Sequence, residues 1–105
     1  MMVYSVKYSR KAIADLKRIE SEVFQACQDN DTTDRYLEDL VSKINEKETF
    51  PESGSPLIFL GLFTGYRFVV YKAYIAFYTV ENNMVLVDRI LLGKSDYLST
   101  LNLEK

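Results

Sequence analysis

The chain of 105 residues contains no histidine and only one cysteine, Cys27. Without histidine, the usual Ser/His and Cys/His nucleophile arrangements and histidine acid–base catalysis are impossible. A single cysteine cannot form an internal disulfide, which is typical of a reducing compartment. Cys27 falls on an apolar helical stripe, and we expect it to fill the core. We expect neither a metal nor a cofactor.

Long hydrophobic runs are also absent. No segment reaches the roughly 18–20 consecutive apolar residues of a membrane span, and residues 1–8 lack the apolar core of a signal peptide. The sequence therefore predicts a cytoplasmic protein with no membrane partner. Its length suits one compact domain covering residues 1–105, and a hydrophobic content of 48% is sufficient to build a core.

The net charge of −2 hides an uneven distribution. Residues 1–19 carry five basic residues against one acid, whereas residues 20–52 carry ten acids against three basic residues. A general nucleic-acid binder normally shows a broad basic surface, because phosphate contacts dominate its affinity. This chain does not show one. A smaller basic patch built from Arg67, Arg89, Lys94 and Lys7 stays an alternative.

The first half of the chain predicts one strand and two helices. Val3–Tyr8 alternates as a strand does, Ser9 supplies an N-cap, and a helix is expected over Arg10–Gln28. A polar linker then leads to a second helix over Thr33–Glu48. The apolar stripe of the first helix comprises Ile13, Leu16, Ile19, Val23 and Cys27. The inner face of the second comprises Leu37, Leu40, Val41 and Ile44.

The second half predicts an antiparallel sheet. The segment 50–56 contains both prolines and crosses from the helices to the strands. Expected strands, joined by short links such as Lys72-Ala73 and Asn82-Asn83, cover Leu57–Leu62, Tyr66–Tyr71, Tyr74–Val80 and Met84–Leu92. The fold class is therefore α+β: a strand, a two-helix hairpin, an antiparallel meander and a short tail after Gly93.

Two arginines lie within apolar strands. The alternation of side chains places Arg67 with Val69 and Tyr71, and Arg89 with Val85, Val87 and Leu91. Because an unpaired buried guanidinium is costly, the face that carries both arginines is expected to be the open one. The alternative is a scaffold role, in which Arg67 pairs with Asp88 or Glu81 across the sheet.

The chain resembles the RelE/ParE superfamily of toxins from bacterial toxin–antitoxin modules over nearly its whole length. The matching residues are Tyr8-Ser9, Ala12, Asp15-Leu16 and Ile19, then Gly65-Tyr66-Arg67, then Arg89-Ile90-Leu91, Gly93-Lys94, Asp96 and Tyr97. The resemblance implies a growth-arresting toxin of a type II module whose partner is an antitoxin with extended or helical segments, in a hetero-oligomer. RelE-like members cleave mRNA on the ribosome, and ParE-like members inhibit DNA gyrase.

The ending from Arg89 to Tyr97 resembles the ParE branch, which includes plasmid-stabilisation proteins, more than the RelE branch. Arg67 matches the arginine that contacts the scissile phosphate in RelE-like nucleases, and Tyr97 approximates the family tyrosine. However, residues 57–64 lack the catalytic lysines of RelE, and Ser95 stands where RelE has a catalytic arginine. The expected target contacts are Arg67, Arg89, Lys94 and Asp96.

Two alternatives stay open beside gyrase inhibition. A metal-independent mRNA endoribonuclease would use Arg67 and Tyr97 as catalytic residues. A decayed toxin would bind only its antitoxin. Tyr97 is alternatively an aromatic plug that holds the tail on the sheet.

Overall fold

The computed structural model describes residues 4–103. Short 3₁₀ turns cover 46–48 and 51–53. The elements in chain order are β1 (Ser5–Tyr8), α1 (Arg10–Cys27), α2 (Asn30–Asn45), β2 (Ser55–Phe59), β3 (Leu62–Tyr71), β4 (Tyr74–Glu81), β5 (Met84–Leu92) and α3 (Tyr97–Thr100).

The two long helices are bounded by caps. Ser9 is the N-cap of α1, as predicted, and its Oγ accepts the Ala12 amide at 3.0 Å. The helix α2 begins three residues earlier than predicted, because the Asp29 carboxylate accepts the Thr32 amide at 2.9 Å and so starts the helix there. It also ends earlier, at Asn45, where the chain tightens into a 3₁₀ turn. Of the predicted first strand, Val3 lies outside the described residues.

The five strands form one sheet in the order β1-β5-β4-β3-β2. The meander from β2 to β5 is antiparallel, as predicted. The first strand pairs with β5 in parallel, so the complete sheet is mixed. The expected strand Leu57–Leu62 is divided, because Leu60 and Gly61 form a two-residue turn with positive φ angles of 54° and 79°.

The sheet carries a core on each face. One face packs against α1 and α2, and its buried cluster comprises Ala12, Ile19, Leu40, Ile44, Val69, Tyr74, Ala76, Tyr78, Val85, Val87 and Ile90. The opposite face is partly covered by the tail after β5, and its buried cluster comprises Leu57, Phe77, Leu91 and Leu101.

The predicted stripe of α1 is partly wrong. Ile13 is 43% exposed, and Cys27 is exposed at the turn between the helices, where its Sγ lies 3.4 Å from Thr33 Oγ1. The buried line of the helix runs through Ala12, Asp15 and Ile19 instead. A buried carboxylate in that line is the reason for the shift, since an acidic residue is ordinarily assigned to the solvent side.

Candidate functional site

Arg89 follows a bulge in β5. Tyr78 pairs with Val87 and Phe77 pairs with Arg89, so Asp88 is an extra residue on β5. The bulge reverses the alternation of side chains: Val87 belongs to the helix-side core, and Leu91 belongs to the core of the opposite face. The prediction that Val85, Val87, Arg89 and Leu91 share a face is therefore wrong.

The Arg89 guanidinium is paired with a buried carboxylate. Its Nε donates to Asp15 Oδ2 at 2.8 Å and its Nη2 to Asp15 Oδ1 at 3.0 Å. Asp15 is 2% exposed, and Arg18 Nη1 adds a third hydrogen bond from an arginine at 2.7 Å. Burial alone raises the pKa of the Asp15 carboxyl, but the hydrogen bonds from Arg89, the Ile90 amide and Arg18 outweigh it and lower the pKa below its usual range.

Asp15 and Arg18 of α1 also bond to the backbone at the edge of β5. The strand β1 ends at Tyr8, opposite Val87, so β5 has no strand partner on that side beyond this point. Asp15 accepts the Ile90 amide at 2.9 Å, and Arg18 donates to the Ile90 carbonyl at 3.1 Å. These bonds satisfy backbone groups that would otherwise be unpaired at a covered edge. Arg89 thus helps to hold α1 on the sheet.

Arg67 lies on the helix-side face, in register with Tyr78, and not on an open face as predicted. It pairs with neither Asp88 nor Glu81 among the described residues. Its Nη1 donates to the carbonyls of Glu52 and Gly54, both at 3.2 Å. Its guanidinium also lies 5.2 Å from the centre of the Phe63 ring. The contacts leave Nε and Nη2 without a protein partner in the described part of the chain.

The loop that receives Arg67 is fixed by a buried tyrosine. Tyr78 is fully buried; its hydroxyl donates to the Pro51 carbonyl at 2.7 Å and accepts the Gly54 amide at 3.0 Å. Burial raises the pKa of Tyr78, so the hydroxyl stays protonated at neutral pH. The loop 51–54 therefore presents its carbonyls to Arg67 in a defined position.

The remaining predicted site residues lie at the tail. Lys94 is exposed in the turn after β5, and Asp96 is the N-cap of α3, where its Oδ1 accepts the Ser99 amide at 3.4 Å. The Tyr97 ring lies 5.2 Å from the Phe77 ring, centre to centre, in the core opposite the helices. Tyr97 thus has the packing contact that the plug interpretation predicts.

The structure does not bring these residues together. Arg67 lies on the helix-side face and Tyr97 on the other, with the sheet between them. Lys94 follows Gly93, whose amide donates to the carbonyl of Ala73 in the turn before β4, at the end of the sheet where Tyr74 lies. The strand rise separates the Tyr74 and Tyr78 rows by about 13 Å. Arg67 and Lys94 therefore lie at different ends of the sheet.

Replacing Tyr97 with phenylalanine is expected to leave the free energy of unfolding unchanged within about 0.5 kcal/mol. The ring contact with Phe77 is kept, and the hydroxyl makes no hydrogen bond among residues 4–103. Urea denaturation measures the free energy of unfolding. Tyr97→Ala is the control that removes the ring, and it should destabilise the fold by about 2 kcal/mol. A loss of stability in the phenylalanine variant equal to that of Tyr97→Ala would show that the hydroxyl, and not the ring, holds the tail.

Sequence reasoning missed a tyrosine–carboxylate pair on the tail side of the sheet. Tyr66 donates its hydroxyl proton to Asp88 Oδ2 at 2.8 Å. Burial and then this hydrogen bond raise the pKa of Tyr66 to about 12. Tyr66 is consequently not a base at neutral pH. Tyr66 reaches Asp88 because of the bulge at Asp88. The alternation of side chains along the sequence does not indicate a bulge, so it could not have located the pair.

Two exposed apolar surfaces were also missed. A groove of about 540 Å³ lies along α2, lined by Leu37, Glu38, Val41, Ser42 and Asn45. The second surface is the turn between β2 and β3, which we call the hairpin tip and define as Ile58–Phe63. Its exposed side chains are Ile58 (52%), Leu60 (84%), Leu62 (72%) and Phe63 (51%).

Within residues 4–103, no three His, Cys, Asp or Glu side chains are grouped so as to hold a metal ion. In that same part of the chain, every helix is too short or too polar to cross a membrane.

The fold resembles that of chains in two solved structures of toxin–antitoxin systems. It superimposes on a chain of the chromosomal ParDE toxin–antitoxin system from P. aeruginosa with a TM-score of 0.72 and 20% identity, covering 86% of this chain and 96% of that one. It superimposes on a chain of the RelBE2 toxin–antitoxin complex from Mycobacterium tuberculosis with a TM-score of 0.61 and 17% identity, covering 87% and 99%. The architecture is that of the ParE/RelE-like toxins.

The sequence itself matches one family. The model of the ParE toxin of the type II toxin–antitoxin system parDE matches residues 6–97. The chain therefore belongs to the ParE toxin family of type II toxin–antitoxin systems. No curated protein sequence matches it significantly.

Proposed function

We propose that this chain arrests bacterial growth from the cytoplasm by binding and inhibiting DNA gyrase. The observation that carries the proposal is the separation of Arg67 from Tyr97 by the sheet. A metal-independent ribonuclease must bring its cationic and proton-transferring groups to one phosphate. Inhibition by binding requires no such convergence.

The charge distribution supports a protein target over a nucleic acid. Residues 53–66, which lead into Arg67, contain no charged residue. Arg89 is already paired with Asp15, so it contributes little free positive charge. Phosphate recognition depends on accessible lysines and arginines, whereas protein interfaces are enriched in apolar and aromatic groups at their centre.

Arg67 is the proposed polar contact with the target. Its Nη1 is engaged with the loop 51–54, and its Nε and Nη2 are available for a carboxylate or carbonyl of gyrase. Lys94, which is exposed, would contact a separate part of the target. We assign Arg89 and Asp96 to positioning, because they bond to α1 and α3 respectively.

Arg67→Ala is expected to weaken gyrase inhibition at least about tenfold, while the cost to folding stays near 1–2 kcal/mol for the lost carbonyl contacts. Supercoiling inhibition by the purified variant and urea denaturation measure these effects. Arg35→Ala, on the exposed surface of α2, is the matched control and should behave as the wild type. Full inhibition by the Arg67 variant would show that Arg67 is a scaffold residue.

We also propose that an antitoxin neutralises this toxin in a hetero-oligomeric complex, because both structural relatives come from toxin–antitoxin systems. The apolar groove along α2, with half-buried Leu37 and Val41, is the proposed seat of an extended or helical antitoxin segment.

Purified gyrase tests the proposed target directly. The expected result is dose-dependent loss of DNA supercoiling when the toxin is added to gyrase, ATP and relaxed plasmid, with mRNA on translating ribosomes left intact. Cleavage of mRNA within translated codons without any effect on supercoiling would establish the ribonuclease alternative. Absence of both effects would indicate a decayed toxin.

A further inference from the structure

The turn of the hairpin tip has an unusual residue in it. Leu60 and Gly61 have φ angles of 54° and 79°, which is the left-handed geometry of a tight two-residue hairpin turn. Glycine, asparagine and aspartate are the residues that adopt it readily. For leucine this geometry is strained, and Leu60 gains no burial in return, since it is 84% exposed.

The other two-residue turns of the sheet have residues that suit their positions. The turn between β4 and β5 is Asn82-Asn83, with φ angles of 47° and 65°. The turn between β3 and β4 places Lys72 at a φ of 52°, and there its Nζ lies 5.1 Å and 5.5 Å from the centres of the Tyr36 and Tyr71 rings. An asparagine at position 60 would therefore suit the hairpin better than leucine does. Neither the turn nor the core explains Leu60, and strained residues of this kind occur preferentially at functional sites.

The surroundings of Leu60 are uniformly apolar. Ile58, Leu62 and Phe63 are each more than half exposed, and the tip lies within the longest uncharged stretch of the sequence, residues 53–66. Over the whole chain 27% of residues are charged. The exposed tip side chains carry no charge and are poorly suited to a phosphate backbone, and neighbouring exposed apolar side chains of this kind mark a protein interaction site.

A second copy of the chain is a poor occupant for this surface. The edge strand β2 contains Pro56, which has no amide hydrogen to donate. Its pairing with β3 is also irregular between Pro56 and Ile58. Proline and bulges are the features that prevent edge-to-edge pairing. The tip is therefore presented as a projecting apolar wedge, not as a flat strand for sheet extension.

We propose that the toxin inserts the hairpin tip into an uncharged apolar pocket of its protein target, with Leu60 as the anchor. This inference rests on the proposed gyrase inhibition and adds to it the element that makes the contact. Arg67 stands four residues after Phe63 and its guanidinium lies over the Phe63 ring. The wedge and the polar contact thus form one continuous surface.

Leu60→Asn tests the wedge without harming the fold. Because asparagine adopts the left-handed conformation more readily, the melting temperature should be equal to or higher than that of the wild type. Inhibition of purified gyrase in the supercoiling assay should nevertheless fall at least about tenfold. The matched control is Leu86→Ser, which removes a 39% exposed leucine from a different strand and should inhibit as the wild type does.

The outcomes separate the inference from the function on which it rests. Wild-type inhibition that persists in Leu60→Asn would overturn the wedge and leave gyrase inhibition standing. A wild-type protein that does not affect supercoiling would overturn the gyrase proposal before any variant is measured. If the wild type sediments as a dimer and Leu60→Asn sediments as a monomer, the tip is a self-association surface and the inference is overturned. Loss of inhibition with unchanged sedimentation and undiminished melting temperature supports it.

Discussion

Replacing Asp15 with alanine is expected to destabilise the protein by about 3–5 kcal/mol, because it leaves the Arg89 guanidinium without its partner. Asp15 is 2% exposed and accepts hydrogen bonds from Arg89, Arg18 and the Ile90 amide. The free energy of unfolding, from urea denaturation at neutral pH, measures the loss. Asp34→Ala, at an exposed position of α2, is the matched control and should change stability by no more than about 0.5 kcal/mol.

The Asp15 pair also has a pH signature. The pKa of Asp15 is lower in the folded protein than its ordinary value of about 3.9. The stability that Asp15 contributes is therefore present above that ordinary value and is lost as the pH falls through the folded pKa. The wild type should lose stability in acid more steeply than Asp15→Ala does. Parallel acid profiles for the two proteins, or a small loss at neutral pH, would show that the pair contributes little.

Replacing Gly54 with alanine is expected to cost about 3 kcal/mol through overpacking. A methyl group at this position would overlap the Tyr78 hydroxyl, and two ring carbons of Tyr78 would lie only 2.9 Å away. Tyr78 is fully buried, and its hydroxyl is held by the Pro51 carbonyl and the Gly54 amide. It therefore cannot move aside without breaking buried hydrogen bonds.

Gly93→Ala is the control for that variant. Its added methyl group would meet its nearest neighbour at 3.6 Å, an ordinary contact, and its stability should stay within about 1 kcal/mol of the wild type. Thermal or urea denaturation of both variants makes the comparison. Because Gly54 and Glu52 supply the carbonyls that hold Arg67, Gly54→Ala should also weaken the gyrase inhibition that we propose. Equal stability of the two alanine variants would contradict the packing described for Tyr78.

Local signals were sufficient to predict most of the fold. Serine at position 9 caps α1 as expected, and short links joined the antiparallel strands from β2 to β5. Helix boundaries were less predictable, because several polar residues precede α2 and only the structure selects Asp29 as its cap. The parallel pairing of β1 with β5 depends on contacts between the two ends of the chain, for which the local pattern contains no signal.

The candidate site was harder to predict, and the reason is the bulge at Asp88. Alternation assumes a regular strand, so one inserted residue moves every later side chain to the other face. The partner of Arg89 is Asp15, which lies 74 residues away along the chain. The sequence around either residue does not indicate that they pair. The open-face prediction failed because Arg67 lies on the helix-side face with its Nη1 bonded to the loop 51–54, and because Arg89 is paired with Asp15 of α1.

The exposed tip illustrates a different limit. Its apolar sequence predicts a strand, and only the turn at Leu60-Gly61 shows that the side chains project into solvent. In the sequence, the lack of lysine and arginine in residues 57–64 shows only that the catalytic lysines of RelE are missing. In the structure, these uncharged residues form an exposed surface that is suited to a protein partner.

The most direct test of the central claim is expression of the toxin without an antitoxin in growing bacteria, with plasmid supercoiling, translation and mRNA 5′ ends measured in the same cells. Gyrase inhibition predicts relaxed plasmid and filamentous cells while translation continues. Prompt arrest of translation with new cuts inside translated codons, and with supercoiling unchanged, would contradict it.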